Sequence, residues 1–269
     1  MDEYVMLIND HFQNYKKYNI PKCQLLIADI PYNLSTSAYA SNPSWYVDGD
    51  NKKGESSLAG TEFFDTDKDF RPPEFMHFCS KMMRKESKER NESPAMIVFC
   101  AFDQQFSLIE LAKKYGLNNY INLVFRKNFS AQVLKANMRI VGNAEYGLVL
   151  YRDKLPKFRN HGKMIFNIID VERDNESPKL HPTQKSIKLL RYLISIFTDE
   201  GDVVIDPVAG SGSTLVAAIQ TGRKAYGFEI KKDFFNEAKQ WIDNCKAQDD
   251  MFHADRRQMD MRNNQINLS

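Results

Sequence analysis

Apolar positions along this chain fall into two rhythms. Short continuous runs at residues 5–8, 24–28, 95–101, 120–125, 146–151, 203–205 and 224–230 predict strands. Between them, three-to-four-residue spacing predicts helices over 73–88, 104–115, 213–220 and 234–244, with a shorter one near 11–18. Gly116 and Gly222 close two of these helices. Thr183 can cap a further helix, whose Ile187, Leu190, Leu193, Ile194 and Phe197 share one face. Alternating strands and helices imply an α/β sheet.

Polar stretches interrupt the alternation. Residues 33–70 are rich in Ser, Gly, Asn and Asp around Trp45 and Tyr46, and form an expected flexible loop or substrate-side flap. The mixed-sign run at 84–90 reads as solvated surface, 154–179 as irregular or a small insertion, and everything from 247 to 269 as a polar, frayed tail. One domain over 1–246 accounts for the rest.

The 269 residues, 42% hydrophobic and 27% charged, are those of a globular chain, and no apolar run approaches the roughly 18 residues of a membrane span. The first ten residues carry acidic groups and no basic ones, unlike a secretory leader, so a cytoplasmic location is expected. Cys23, Cys79, Cys100 and Cys245 are far apart and form no Cys-x-x-Cys pair, so they read as reduced packing residues. His77 and Cys79 lack the second ligand pair a zinc site needs, and no metal is expected.

The net charge of +2 says little about nucleic acid, but its distribution is uneven. Between Ile121 and Lys163, Arg126, Lys127, Lys135, Arg139, Arg152, Lys154, Lys157, Arg159 and Lys163 face only Glu145 and Asp153, a local excess of +7. Interleaved Phe125, Phe129, Tyr151 and Phe158 would suit a surface that tracks phosphates and offers rings to bases. A solvated face over ordinary core aromatics is the plainer reading.

Two segments carry candidate chemistry. Asp206-Pro207-Val208-Ala209-Gly210-Ser211-Gly212-Ser213-Thr214 follows a strand and opens a helix. Its glycines admit close backbone approach, and helix amides favour an anionic group. Glu229, 17 residues after Gly212 at the end of the next strand, could accept from both hydroxyls of a ribose. A dinucleotide fingerprint would place a third glycine at Leu215, so a pyrophosphate contact is less well supported. Asp29-Ile30-Pro31-Tyr32 ends an earlier strand and offers a carboxylate, a backbone carbonyl, a stiff proline and an aromatic ring: the parts that hold a planar amino-bearing ring.

These two segments, with His181-Pro182-Thr183-Gln184-Lys185 before the second, resemble the β-class amino-methyltransferases of DNA. In that family a D/S/N-P-P-Y/F-type catalytic motif comes first, target recognition follows, and HPTxK-like and D-P-F-x-G-S-G-T-like cofactor motifs come last. The resemblance implies a Rossmann-like α/β sheet with circularly permuted motif order. It implies S-adenosylmethionine as cofactor and target recognition within residues 126–180. By it, Asp206, Gly210 and Gly212, with Pro207, Ala209 and Ser211, would frame the methionine and sugar, and Glu229 would hold the ribose. Thr183 and Lys185, with His181 beside them, would lie near the methionine end. Asp29, the Ile30 carbonyl, Pro31 and Tyr32 would form the target-base site. The sequence departs from the pattern at Ile30, where the family has proline, at Val208, where Phe is usual, and at Ser186, where Pro commonly follows the lysine.

The implied activity is methylation of adenine N6 in base-flipped DNA, of the restriction-modification type, because Asp at the head of the motif goes mostly with adenine and Ser with N4-cytosine. N4-cytosine methylation and an inactive DNA-binding protein of the same fold are the alternatives. An RNA methyltransferase and a nicotinamide oxidoreductase are further rivals, the latter opposed by Leu215. A homodimer is left open, and no membrane partner is expected.

Overall fold

The computed structural model describes residues 4–31, 70–128, 132–135, 140–175, 177–180 and 184–266, and their side chains outside 132–141 and 250–266. Among the described residues ten strands form, β1 (Val5–Ile8), β2 (Leu25–Asp29), β3 (Ala95–Cys100), β4 (Asn119–Lys127), β5 (Gln132–Lys135), β6 (Ile140–Gly142), β7 (Ala144–Tyr151), β8 (Ile168–Val171), β9 (Val203–Asp206) and β10 (Lys224–Phe228). The α-helices are α1 (Pro72–Met82), α2 (Gln104–Lys114), α3 (Ile187–Phe197), α4 (Ser213–Ile219) and α5 (Lys232–Ile266), with a 3₁₀ turn at Phe12–Lys17.

Eight strands make one sheet in the order β1-β10-β9-β2-β3-β7-β4-β8, and β5 and β6 form a separate ribbon. The strands from β1 to β3 run parallel, whereas β7 is antiparallel between β3 and β4. From β9 the chain proceeds through α4 to β10 on one side, and from β2 through α1 to β3 on the other. The order therefore reverses between β9 and β2, and an open α/β sheet binds its ligand at the carboxyl ends of such a pair.

Strand alternation sorts side chains onto two faces. Leu25, Ile27, Ile97, Phe99, Phe125, Val149 and Val204 pack with α3, α4 and α5, while Leu26, Ala28, Met96, Val98, Leu148 and Ile205 pack with α1 and α2. By the same alternation Asp29, Asp206, Glu145 and Lys127 all fall on the α3 face, at one end of the sheet.

Several boundaries differ from the sequence expectation, each for a tertiary reason. α1 stops at Met82, not 88, because Met83 turns extended and the chain bridges Cys23: Cys23 N–H donates to Met82 O at 2.8 Å and Arg84 N–H to Cys23 O at 2.9 Å. Ser186, not Thr183, stands at the α3 N-cap, and Asp174 accepts from the Ile187 N–H at 3.1 Å in place of a local cap. β8 lies inside the stretch expected to be irregular. α5 runs on to Ile266, where a frayed tail was expected, since no Gly or Pro interrupts 232–266. The expected loop at 33–70 falls almost wholly outside the described residues. All four cysteines are free and buried, and among the described residues no helix is long and apolar enough to cross a membrane.

The basic segment behaves differently from a phosphate-tracking surface. Lys157 is buried at the amino end of β9, with Nζ 2.6 Å from Asp202, 2.7 Å from Asp199 and 3.5 Å from Glu92. Arg159 bonds Asp199 and Glu92, and Arg84 bonds Asp202 at 2.9 Å. Arg126 pairs with Asp170, Lys127 with Glu145, and Arg152 donates to the carbonyls of Arg84 and Ser80. Lys154 donates to Ser87 O. Phe125 is fully buried, and Phe158 packs on Phe197. Among the described residues, then, Arg152, Lys154, Lys157 and Arg159 are spent on bonds away from the carboxyl ends of the strands, while Arg126 and Lys127 pair with Asp170 and Glu145 at the end of β4.

That clamp supports a stability prediction. Lys157→Met keeps the volume but removes the cation that Asp199 and Asp202 share, leaving them Arg159 and Arg84, and chemical denaturation at pH 7 should show a loss of about 2 kcal/mol. Hydrogen bonds from Arg159 pull the Asp199 carboxyl well below the usual range. At Asp202, burial pushes upward, but Lys157 and Arg84 outweigh it and lower the carboxyl. Both carboxyls are thus depressed in the folded protein, so their stabilisation is present above the unfolded value near 4 and fades as pH falls below it. The deficit of the variant should shrink on acidification. Unchanged stability at pH 7 would show that the cluster contributes nothing net.

Candidate active site

β9 delivers Asp206 to the carboxyl edge of the sheet, where its side chain is buried. Asp206 accepts from the Val208 N–H at 3.0 Å and bonds Thr214 of α4, which ties both ends of the turn to one carboxylate. Burial raises this carboxyl to about 7, with nearby Asp29 and Glu229 adding to the rise while the bonds from Thr214 and Val208 oppose it. Ala209 N–H donates to Phe228 O, and Gly212 N–H to Ala209 O, both at 2.8 Å, folding Pro207–Gly212 back across β10.

Gly210 and Gly212 adopt φ of 51° and 77°, a region L side chains rarely enter. A Cβ on Gly212 would also stand 2.9 Å from Ile242 of α5. Leu215, where a dinucleotide site would have its third glycine, finds its space elsewhere: the glycine lies on the strand, and a Cβ at Gly227 would meet Leu215 at 2.7 Å. Close helix–sheet packing is kept with the residues exchanged.

Glu229 follows β10 directly. Its carboxylate accepts from the Gly210 N–H at 2.9 Å and the Lys231 N–H at 2.7 Å, while its own N–H donates to Ile8 O at 2.9 Å. Burial raises its carboxyl. Asn9, at the end of β1, donates to the Glu229 carbonyl at 2.8 Å. The glycine turn and Glu229 therefore form one hydrogen-bonded unit.

β2 pairs β9 through Leu26↔Ile205, so the next step brings Asp206 level with Ile27, two residues short of Asp29. The candidate base segment thus emerges beside the glycine turn although 177 residues separate them in the chain. Asp29 pairs in register with Phe99 of β3. The Ile30 side chain is buried in the α1/α2 core, and its N–H donates to Phe99 O at 3.3 Å. Its burial replaces a proline ring with core contact. Gln104 restores some rigidity: Nε2 donates to Pro31 O and Oε1 accepts from the Ala101 N–H, both at 2.9 Å. Tyr32, His181 and Thr183 lie outside the described residues.

Lys185 is buried above the same edge. Nζ is 2.7 Å from Asp29 Oδ2, 3.7 Å from Glu145 Oε2 and 5.1 Å from the centre of the Phe99 ring. Expected toward a methionine end, it closes on Asp29. Glu145, which also pairs with Lys127, was not singled out from the sequence. A signal existed: in β7 the inward phase runs Glu145, Gly147, Val149, and a carboxylate on a buried phase needs a cation.

A buried carboxylate, a glycine turn over a helix start and an acidic residue ending the adjacent strand fit a ribose-bearing cofactor with a cationic amino-acid portion. Comparison with known proteins agrees. Residues 23–240 match the N6/N4 DNA methylase family. Over 139 residues, 51% of this chain and 42% of the relative, the chain is 35% identical to the DNA adenine methyltransferase YhdJ of Escherichia coli. Its fold is similar to the M1.HpyAVI–SAM complex (TM-score 0.60, 18% identity, 88% of this chain and 99% of that one). It is also similar to the cytosine-N4-specific PvuII DNA methyltransferase (TM-score 0.61, 13% identity, 90% and 91%). The chain belongs to the N6/N4 DNA methylase family, enzymes that methylate DNA with S-adenosylmethionine as donor.

Proposed function

We propose that this chain methylates adenine N6, with Asp29 and the Ile30 carbonyl holding the target amino group. The observation that supports it is the emergence of Asp29 beside the Asp206–Gly212 turn at the sheet's switch point. The Asp at the head of the motif favours adenine, and YhdJ, an adenine enzyme by name, shares 35% identity over its matched part. The N4-cytosine enzyme of similar fold keeps cytosine as the second reading.

An exocyclic amino nitrogen is a poor nucleophile because its lone pair is delocalised into the ring. Two acceptors, the Asp29 carboxylate and the Ile30 carbonyl, draw both N–H bonds away from the ring plane and return the lone pair to nitrogen. When bound, S-adenosylmethionine supplies an electrophilic methyl on a sulfonium. Asp206 would face its cationic amino-acid end, Glu229 would take its ribose hydroxyls, and the Pro207–Gly212 backbone would pack against it, with His181, Thr183 and Lys185 assigned near the methionine end by their motif. Tyr32 would stack on the base, a contact worth about 1–3 kcal/mol in nucleic-acid sites. The base must leave the duplex, since neither reactant can be aligned inside the stack. Residues 126–180 supply sequence recognition in this reading.

After reaction with the purified protein, DNA digested to nucleosides should contain N6-methyldeoxyadenosine. N4-methyldeoxycytidine instead would overturn the assignment to adenine.

A further inference from the structure

Four charges line the α3 face of the sheet at its carboxyl edge, on neighbouring elements: Asp29 of β2, Lys185 just before α3, Glu145 of β7 and Lys127 of β4. They cancel in sign, and three of them are largely enclosed, with side-chain exposures of 7% for Lys185, 18% for Glu145 and 14% for Lys127. Lys185 sits over the Phe99 ring between the two carboxylates. That ring is itself fixed by Phe125, 4.8 Å away between centroids. The Phe125 ring needs Gly147 beneath it, because a Cβ there would stand 3.0 Å from Cε2.

An ammonium buried beside a single carboxylate would bond it as tightly as geometry allows. Such a carboxylate is a weaker acceptor for anything else. A second carboxylate on the far side shares the ammonium and moderates its hold. We propose that Glu145 is a positioning residue for methyl transfer: by sharing Lys185 with Asp29 and being held in turn by Lys127, it fixes the Asp29 carboxylate while leaving it a strong acceptor for the target amino group. This rests on Asp29 being the base-site acceptor.

The electrostatics agree with the geometry. At Glu145 burial pushes the carboxyl upward, but Lys185 and Lys127 outweigh it and lower it. At Lys185 burial pushes downward, but Asp29 and Glu145 hold the ammonium above its ordinary value. Among the described residues, the ionisable groups facing Asp29 include Lys185 with Glu145 behind it, Asp206 on β9, and the Cys100 thiol on β3, which burial raises to about 12 and which therefore stays neutral.

The test compares Glu145→Gln, Lys185→Met and Asp29→Asn in the full chain, measuring kcat against pH, S-adenosylmethionine affinity by calorimetry, and DNA affinity. Glu145→Gln removes a negative charge near Asp29 and leaves Lys185 unshared. Its kcat should fall about tenfold, as losses of supporting partners do at other sites. The acidic limb of its kcat profile should move to lower pH, with both affinities within about twofold of the parent. Lys185→Met should move that limb the other way, by about one unit, because Asp29 loses its cation. Glu145→Asp keeps the charge but shortens the reach to Lys185, so its limb should stay in place while its kcat falls; if the glutamine variant does not fold, a parental kcat in Glu145→Asp overturns the proposal. A parental kcat and limb in Glu145→Gln would overturn the proposal. So would a kcat loss matched by equal losses of affinity with the limb unmoved, which is the mark of a merely structural role. If Asp29→Asn retains turnover, the base-site reading fails first; if it is inactive while Glu145→Gln behaves as the parent, only the role of Glu145 fails.

Discussion

Asp29→Ala should reduce methyl transfer by about 10²–10³-fold, the scale on which a positioned polar group acts on a developing charge. The base nitrogen would then have one acceptor, the Ile30 carbonyl, and its lone pair would remain largely delocalised. S-adenosylmethionine affinity, measured by calorimetry, should stay within about twofold, because the glycine turn and Glu229 are held by their own bonds and not by Asp29. The alanine variant also deprives buried Lys185 of a partner at 2.7 Å, so some loss of stability is expected with it. Asp29→Asn separates the two effects. It keeps the shape and an oxygen for Lys185, but turns an amide donor toward an amino group that needs acceptors. Label transferred from methyl-labelled cofactor is the measurement, and turnover near the parental rate in Asp29→Asn would remove Asp29 from the base site.

The strands that build this edge were legible because they are buried on both faces. Leu25–Ala28, Ala95–Cys100 and Val203–Ile205 read as unbroken apolar runs, as parallel central strands must. β8 escaped notice for the opposite reason: it is an edge strand whose Ile168 is half exposed, and only its pairing with β4 makes it a strand. The α3 start was misplaced because its cap, Asp174, lies thirteen residues upstream and reaches it through space.

Motif residues fared likewise. Asp206, Gly210, Gly212 and Glu229 are near in sequence, and their local spacing was enough to group them. Lys185 against Asp29 is a contact between positions 156 apart, which no local pattern encodes. Charge counting misled at Lys157 and Arg159, since a sum over a segment ignores carboxylates arriving from Glu92, Asp199 and Asp202.

Asp206 should make cofactor binding depend on pH. Its carboxyl is raised to about 7, burial being the largest cause. A ligand bearing an α-ammonium and a sulfonium prefers the ionised form, so the dissociation constant of S-adenosylmethionine should rise by up to about tenfold per pH unit below 7 and level off above it. Asp206→Asn should bind weakly with no such slope.

Linkage gives the same group a second signature that needs no cofactor. The folded value of about 7 lies above the unfolded carboxylate value near 4, so the folded state holds this proton more tightly. The Asp206 contribution to stability is therefore complete below about pH 4 and is lost as pH rises toward 7, by at most about 1.4 kcal/mol per unit. Saturating cofactor, by favouring the ionised form, should flatten that decline. Asp199 and Asp202 act in the reverse sense below pH 4, so the two effects occupy separate windows and can be read from one series of denaturation curves. A cofactor affinity independent of pH between 5 and 8 in the parent protein would show that Asp206 does not face the cationic end of the ligand.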